Sequence, residues 1–411
     1  MTNVTKTTRL TIFAIALASV LFLFYSLFLA NRDKEISRVT FPDKTQEVVY
    51  LPDPATNQRL KLIRFKEDGF TRISGTIFWN SGLIEDLTFG GPDNVVLTSI
   101  EYYPLDDKEG KDTRGKKRSD ARFAVDGSYT YHAVYRPDGT LERLGELQPM
   151  GTYNATFYFE DGKSVHRQRT FDEKKRYRSE KIFRRDGSLL ASIYSQAGDY
   201  SKTSTMLYRE DGTTYATFTR DPIDGEKGQV FAANGSTMIL EYARDYYNLQ
   251  EIYLDEKGNL IQNRDGSRMG NLLTVRAYRE VGGQMLMAYR QRWMMTHTLG
   301  PDAEKVKLRR VEYYDFAAKR ACEIQMDVAG TTPKTITCPE ANGTSTLKRL
   351  GEDGITVDTI DTLSKSNKVV ATAKGNGAKV DIPAEWLQNI RPTPLPNFKD
   401  EDAPPPVYDF H

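Results

Sequence analysis

The chain has 411 residues, so its length admits either several compact domains or one extended repeat array. Its 57 basic and 56 acidic residues leave a formal net charge of +1, which provides no overall field toward nucleic acid and disfavours nucleic acid as its main partner. Only 39% of the residues are hydrophobic, below the usual share, whereas 23 Tyr, 19 Phe and 30 Gly favour strands and tight turns.

An uncharged apolar segment, residues 10–30, follows a short N-terminal flank of residues 1–9. A helix of this length is long enough to cross the hydrocarbon core of a bilayer. A cleaved signal peptide is the alternative, but its apolar run is usually shorter and ends at small residues. Phe28 would occupy the minus-three position for a cut after Ala30, so we predict an uncleaved single-pass anchor.

The orientation of this anchor is predicted from its context. Lys6 and Arg9 precede the apolar segment and Arg32, Lys34 and Arg38 follow it, and this count alone would place the C-terminal side in the cytoplasm. A short apolar N-terminus commonly acts as an export signal, and paired cysteines suit an oxidising compartment. We therefore predict that the N-terminus is cytoplasmic and that the bulk of the chain lies in the periplasm or at the cell surface.

The segment 31–47 is polar and carries both signs of charge, so we interpret it as a linker. From residue 48 to residue 263 the chain repeats one motif, in which an aromatic residue is followed three and four positions later by Asp-Gly or Asn-Gly. The clearest of these turn motifs, spaced 23 to 25 residues apart, are Asp138-Gly139, Asp161-Gly162, Asp186-Gly187, Asp211-Gly212 and Asn234-Gly235.

These motifs predict β-hairpins. Asp-Gly and Asn-Gly tolerate the two positive φ angles of a two-residue type I′ turn, and alternating apolar residues follow most of the turns. A single hairpin cannot bury its aromatic face, whereas hairpins side by side bury a continuous one. The predicted fold is all-β, an elongated array of antiparallel β-hairpin repeats behind an N-terminal transmembrane helix.

The repeats resemble known repeat families. The segment from Tyr253 to Leu260 resembles the YD repeats of Rhs proteins, and the aromatic-x-x-Asp-Gly core from Tyr208 to Gly212 is similar to MORN-type repeats. This resemblance covers about a third of the chain. It implies a β-hairpin array that serves as a scaffold or contacts partners, and it carries no catalytic residues to this sequence.

A basic stretch runs from Arg167 to Arg185 and includes Lys174, Lys175 and Arg176. Strand alternation would place several of these cations on one exposed face, where an anionic surface polymer could bind. The plainer interpretation is a solvated strand face opposite acidic neighbours.

Beyond residue 263 the motif fades, and residues 264–375 are predicted to form a further β segment. Its two cysteines, Cys322 and Cys338, are the only ones in the chain and are expected to form a disulfide worth about 3 kcal/mol. Residues 376–411 comprise a short predicted helix and a proline-rich tail, in which Tyr408 and Phe410 are candidates for docking in a partner's groove.

The sequence carries no recognisable catalytic or cofactor signature. Its four histidines have neither metal-ligand spacing nor a nucleophile motif nearby, and no phosphate-binding loop is present. Most aspartates that we can place are explained by turns. We therefore expect a non-enzymatic, cofactor-free protein, either a membrane-anchored scaffold for other envelope proteins or a binding module for peptidoglycan or polysaccharide.

Overall fold

The computed structural model describes residues 33–91, 93–104, 114–196, 199–267, 269–295, 306–317 and 319–396. The predicted membrane segment, residues 10–30, lies outside these ranges, and so do Tyr408 and Phe410. Within the described ranges, no helix combines the length and the apolar character needed to span a membrane.

The described part of the chain is all-β, which confirms the predicted class. Its 27 strands form one antiparallel sheet, and its helical residues belong to two short 3-10 helices, Pro54–Thr56 and Ala384–Leu387. The chain divides into two compact units. Within the described ranges, the first runs up to Lys175 and includes Arg185–Gly187, and the second comprises Arg176–Arg184 and residues 188–396.

Each strand of the first unit pairs antiparallel with the next strand along the chain. These strands are β1 (Lys34–Thr40), β2 (Gln46–Leu51), β3 (Gln58–Phe65), β4 (Arg72–Trp79), β5 (Ile84–Gly90), β6 (Val95–Pro104), β7 (Arg114–Phe123), β8 (Tyr129–Tyr135), β9 (Leu141–Leu147), β10 (Tyr153–Tyr158) and β11 (Val165–Phe171). Strand β1 falls within the segment interpreted as a linker, and all seven of its residues are exposed.

The second unit repeats this pattern of pairing between consecutive strands, including the part beyond residue 263. Its strands are β12 (Tyr177–Phe183), β13 (Leu189–Gln196), β14 (Asp199–Tyr208), β15 (Thr214–Asp221), β16 (Gly225–Phe231), β17 (Met238–Arg244), β18 (Asn248–Leu254), β19 (Leu260–Ser267), β20 (Leu272–Val281), β21 (Gln284–Met295), β22 (Val306–Tyr314), β23 (Arg320–Met326), β24 (Pro333–Pro339), β25 (Ser345–Leu350), β26 (Val357–Leu363) and β27 (Val369–Lys374).

The hairpin turns lie where the Asp-Gly motifs predict them, but the predicted turn type is wrong. In the turn between β14 and β15, the Gly212 N–H donates to the Arg209 carbonyl (3.0 Å) and the Arg209 N–H donates to the Thr213 carbonyl (2.9 Å). Gly212 has a φ of +82°, whereas Asp211 is not among the residues with positive φ. The loop is therefore a type I turn followed by a left-handed glycine, with a bulge in the pairing.

The aspartate of this turn acts through its side chain. Asp211 Oδ1 accepts the Thr213 N–H at 2.9 Å and the Thr213 hydroxyl at 2.7 Å. These bonds require no positive φ at the aspartate, which explains why a type I turn replaces type I′. They also hold the pKa of Asp211 below its usual value, the hydroxyl bond contributing most.

The sheet has one face, termed the inner face, on which cross-strand rows of apolar side chains are buried. In the second unit one such row consists of directly paired residues that are at most 5% exposed: Ala191, Leu207, Ala216, Val230, Leu240 and Tyr253. The opposite, outer face is more polar. This alternation follows from the two-residue period of a strand and confirms the predicted apolar hairpin face.

Candidate functional site

An arginine that directly follows the aromatic residue of a repeat ties neighbouring hairpins together. Arg209 donates through Nη1 to the Thr214 carbonyl of its own hairpin at 2.7 Å, and through Nη2 to the Phe231 carbonyl one repeat later. Arg136 and Arg184 make the equivalent pairs of bonds in their repeats. We call this arrangement the arginine clamp. It satisfies strand-end carbonyls and fixes the position of one hairpin relative to the next.

The inner face of the second unit carries a segment of its own chain, residues 383–391, which contains the 3-10 helix Ala384–Leu387 and is termed the strap. The Gln291 side-chain amide donates to three strap carbonyls, those of Trp386 (2.8 Å), Gln388 (3.0 Å) and Glu385 (3.3 Å). The Trp386 indole stacks on Tyr313 with 4.6 Å between ring centroids. Gln291 therefore holds the strap through its main-chain carbonyls, two of which belong to the 3-10 helix.

A buried ionic network fixes the other end of the strap. Glu251, which is fully buried, pairs with Arg264 (2.9 Å) and with Arg391 (3.0 Å), and it accepts the Tyr253 hydroxyl at 2.8 Å. Arg264 is 1% exposed and also donates to the Asn389 side chain at 2.6 Å. Burial and the adjacent carboxylate raise the pKa of Tyr253. Because both charges are desolvated, the pair depends on keeping all of its partners.

The outer face of the second unit forms a cleft of about 580 Å³ across strands β14 to β18. Two cross-strand rows of side chains line it. Its polar lining consists mainly of hydroxyl and amide groups, joined by one cation and one carboxylate: Ser204, Thr217, Thr219, Gln229, Gln250, Lys227 and Glu241. Such a lining offers many hydrogen-bonding groups and little net charge.

The last strand, β27, forms an open edge of the sheet. It pairs with β26 on one side, and no described strand pairs with its other side. All six of its residues are exposed, including Val369 (51%) and Val370 (62%). An exposed apolar edge with free main-chain groups is a template for pairing with another extended segment.

The predicted basic surface is only partly where we expected it. Lys174, Lys175 and Arg176 are exposed, and Lys175, with a φ of +58°, occupies the turn position that glycine fills in most repeats. Arg167 is 1% exposed and therefore does not belong to this exposed surface. The alternation of β11 directs Arg167 toward the inner face, together with Arg169.

The two cysteines form a disulfide between the adjacent strands β23 and β24. Of the four histidines, His132 lies on the inner face of the first unit and stacks on Tyr129, and His166 contacts Phe159. His297 and His411 lie outside the described residues. In the described part of the chain, no group of three His, Cys, Asp or Glu side chains could hold a metal ion.

Comparison with known proteins does not assign the chain to a family. No family model and no curated protein matches it. Solved structures with some similarity include a TcdB2-TccC3-TEV crystal structure (9% identity, TM-score 0.17, covering 81% of this chain and 23% of that chain). Another is apo AztD from Citrobacter koseri (8% identity, TM-score 0.14, covering 84% of this chain and 95% of that chain). A third is the periplasmic gluconolactonase PpgL from Pseudomonas aeruginosa (11% identity, TM-score 0.14, covering 78% of this chain and 94% of that chain). This chain spans less than a quarter of the TcdB2-TccC3 chain, and at these TM-scores the similarities carry no argument.

Proposed function

We propose that the protein is a membrane-anchored extracytoplasmic scaffold that presents its repeat sheet to other envelope proteins. The carrying observation is the open edge strand β27, whose exposed apolar residues suit pairing with an extended segment of a partner protein. The strap supports this function, because the same sheet already holds a segment of polypeptide by its main-chain carbonyls. The arginine clamps support it by fixing neighbouring hairpins relative to each other, and so does the resemblance of the turns to MORN-type and YD repeats.

The edge is tested by adding a charge to it. Val370→Lys should abolish capture of the partner proteins that the wild-type chain retains from detergent-solubilised native membranes. Val328→Lys is the matched control, because Val328 is 80% exposed in a turn away from the edge. A photo-crosslinking residue at position 370 should also link those partners, whereas one at position 328 should not. Equal capture by both variants would refute the edge as the docking site.

The predicted anchor and compartment belong to the same proposal and have a separate test. A reporter fused after His411 should be active only outside the cytoplasm, and removal of residues 1–31 should release the protein from membranes. In cells, Cys322 and Cys338 should resist thiol reagents until a reductant is added. Cytoplasmic reporter activity with freely alkylated cysteines would contradict the orientation.

A second candidate function, binding of a surface polymer, is favoured by the outer-face cleft. Its hydroxyl and amide groups suit the hydrogen-bonding pattern of a polysaccharide, and Lys227 could contact an anionic group. Retention of the protein on peptidoglycan should fall when Gln229 and Lys227 are replaced by alanine and glutamine. Lys257→Gln, at an exposed turn lysine, should leave retention unchanged. If the cleft substitutions left retention on peptidoglycan unchanged, polymer binding at this cleft would be excluded.

A further inference from the structure

The first unit contains a cavity of about 570 Å³ on its inner face, over strands β5 to β9. One cross-strand row of paired residues crosses the cavity, consisting in order of Glu85, Glu101, Ser119, Val134 and Arg143. Because directly paired residues project to the same face, all five side chains point to the cavity side. The row therefore begins with two carboxyl groups and ends with a guanidinium group.

The two carboxyl groups at the acidic end differ in their partners. Glu101 is neutralised by Arg118, whose Nη1 donates to it at 2.6 Å. Glu85 accepts the Ser99 hydroxyl at 2.7 Å and also interacts with the Trp79 side chain, and no cation pairs with it among the described residues. Burial, opposed by the Ser99 bond, and the nearby Glu101 carboxylate raise the pKa of Glu85. A cationic group entering the cavity would stabilise the ionised form of Glu85.

Arg143 forms the basic end of the row. Within the described ranges, Arg143 has no hydrogen-bond acceptor and no ion-pair partner, and its Nε is buried. Buried donors of this kind are normally satisfied by protein, water or a ligand. Arg143 and Glu85 cannot satisfy each other, because four strand spacings, about 19 Å along a flat sheet, separate their positions.

We infer that this cavity binds a short zwitterionic peptide, with its ammonium group at Glu85 and its carboxylate at Arg143. A ligand with a charge of each sign at its two ends is the class that neutralises both groups at once. Four extended residues span about 14 Å, which suits the row once the reach of the two side chains is included. The cavity volume lies in the range of small-ligand sites, and Ser119 offers a hydroxyl midway along the row.

The test is titration calorimetry on the full chain with tetra-alanine as the probe. Tetra-alanine with free termini should bind, and N-acetylation or C-terminal amidation should each weaken its affinity by about tenfold or more, because each removes one charge-assisted contact. Absence of measurable binding at millimolar peptide, or equal affinities for the free and blocked peptides, would overturn the inference.

Two variants assign the ends of the peptide. Glu85→Gln should weaken binding of the free peptide and remove the discrimination against N-acetylation, while keeping the discrimination against amidation. Arg143→Gln should do the reverse. Glu142→Gln and Arg59→Gln, which alter exposed residues of the same two types, should keep the wild-type pattern. A thermal melt of each variant checks that it is folded. The site would be refuted if folded Glu85 and Arg143 variants still distinguished the free peptide from both blocked peptides as the wild type does.

Discussion

The side-chain amide of Gln291 lies 2.8 Å from the main-chain carbonyl oxygen of Trp386, a residue 95 positions further along the chain. The same amide nitrogen reaches two further strap carbonyls, and the Gln291 side-chain oxygen accepts the Trp293 indole N–H at 3.2 Å. Gln291 is 1% exposed, so these bonds are shielded from water. One glutamine thus connects the strap to the sheet face beneath it.

Replacing Gln291 by alanine should release the strap. We expect the free energy of unfolding to fall by about 2–3 kcal/mol, because several buried hydrogen bonds disappear and carbonyl groups are left unsatisfied. Relative to the wild type, the variant should show faster hydrogen exchange in residues 383–391, whereas exchange in strands β13 to β17 should change less. Gln250→Ala, at an exposed position on the outer face, is the control and should change neither quantity. Unchanged protection of the strap in Gln291→Ala would contradict its role.

The buried pair of Glu251 and Arg264 should be sensitive to loss of one partner. Glu251→Leu leaves the Arg264 guanidinium buried without its carboxylate, so we expect destabilisation of about 3–5 kcal/mol. The double variant Glu251→Leu with Arg264→Met should recover part of this loss, because neither buried charge of the pair remains. Denaturant midpoints measure both effects. Glu241→Leu, at an exposed residue, is the control.

Two glycines with the same φ of +82° should differ in their tolerance of a side chain. A Cβ on Gly212 would meet no atom within 4 Å, so Gly212→Ala should cost about 1 kcal/mol from backbone strain alone. A Cβ on Gly225 would lie 2.1 Å from the Arg244 carbonyl oxygen, so Gly225→Ala should cost about 3 kcal/mol or more. Thermal melts compare the two. An equal loss of stability in the two variants would show that strands β16 and β17 can move apart to accommodate the added methyl group.

The arginine clamp at Arg209 should require the planar guanidinium. Arg209→Lys should destabilise the hairpins around it by about 1–2 kcal/mol, because an ammonium group cannot bond both the Thr214 and Phe231 carbonyls in the same fork geometry. Hydrogen exchange in β15 and β16 should rise. Glu210→Ala, at the exposed neighbour in the same turn, should leave exchange unchanged.

His132 should make the first unit sensitive to mild acid. Burial, followed by repulsion from Arg143, lowers the pKa of His132 to about 4, whereas an unfolded histidine titrates near 6.5. Between these values the unfolded state binds more protons, so stability should fall as the pH drops from about 6.5 to 4. His132→Gln should flatten that decline in melting temperature. An NMR titration placing the His132 midpoint near 6.5 would contradict this expectation.

The features predictable from sequence are those set by neighbouring residues. The turn at Asp211 and Gly212 is predictable from the sequence because both residues act within one hairpin. Only the structure shows that Gly212 has a positive φ and Asp211 does not. The turn at Lys175 does not match the sequence motif, because lysine occupies the left-handed position that glycine fills in most repeats. The arginine clamps do leave a signal in the sequence, an Arg directly after the repeat aromatic.

The contacts that build the candidate sites join distant parts of the chain. Arg264 and Asn389 are 125 positions apart, and Arg391 and Glu251 are 140 apart, so no local pattern links them. The row from Glu85 to Arg143 depends on the register of five strands, and each bulge alters which residues face the cavity. The repeat period therefore predicts that a sheet of hairpins forms, but it does not predict which residues line up across the strands.

The strap also imposes an order on biosynthesis. Gln291, Arg264 and Glu251 leave the ribosome 95, 125 and 140 residues before their partners in the strap. Until residues 383–391 emerge, the inner face of strands β18 to β22 has no cover from them, and a second nascent chain could occupy it. We therefore expect closing of the strap to be a late step of folding and chaperone dependence to be concentrated in that interval.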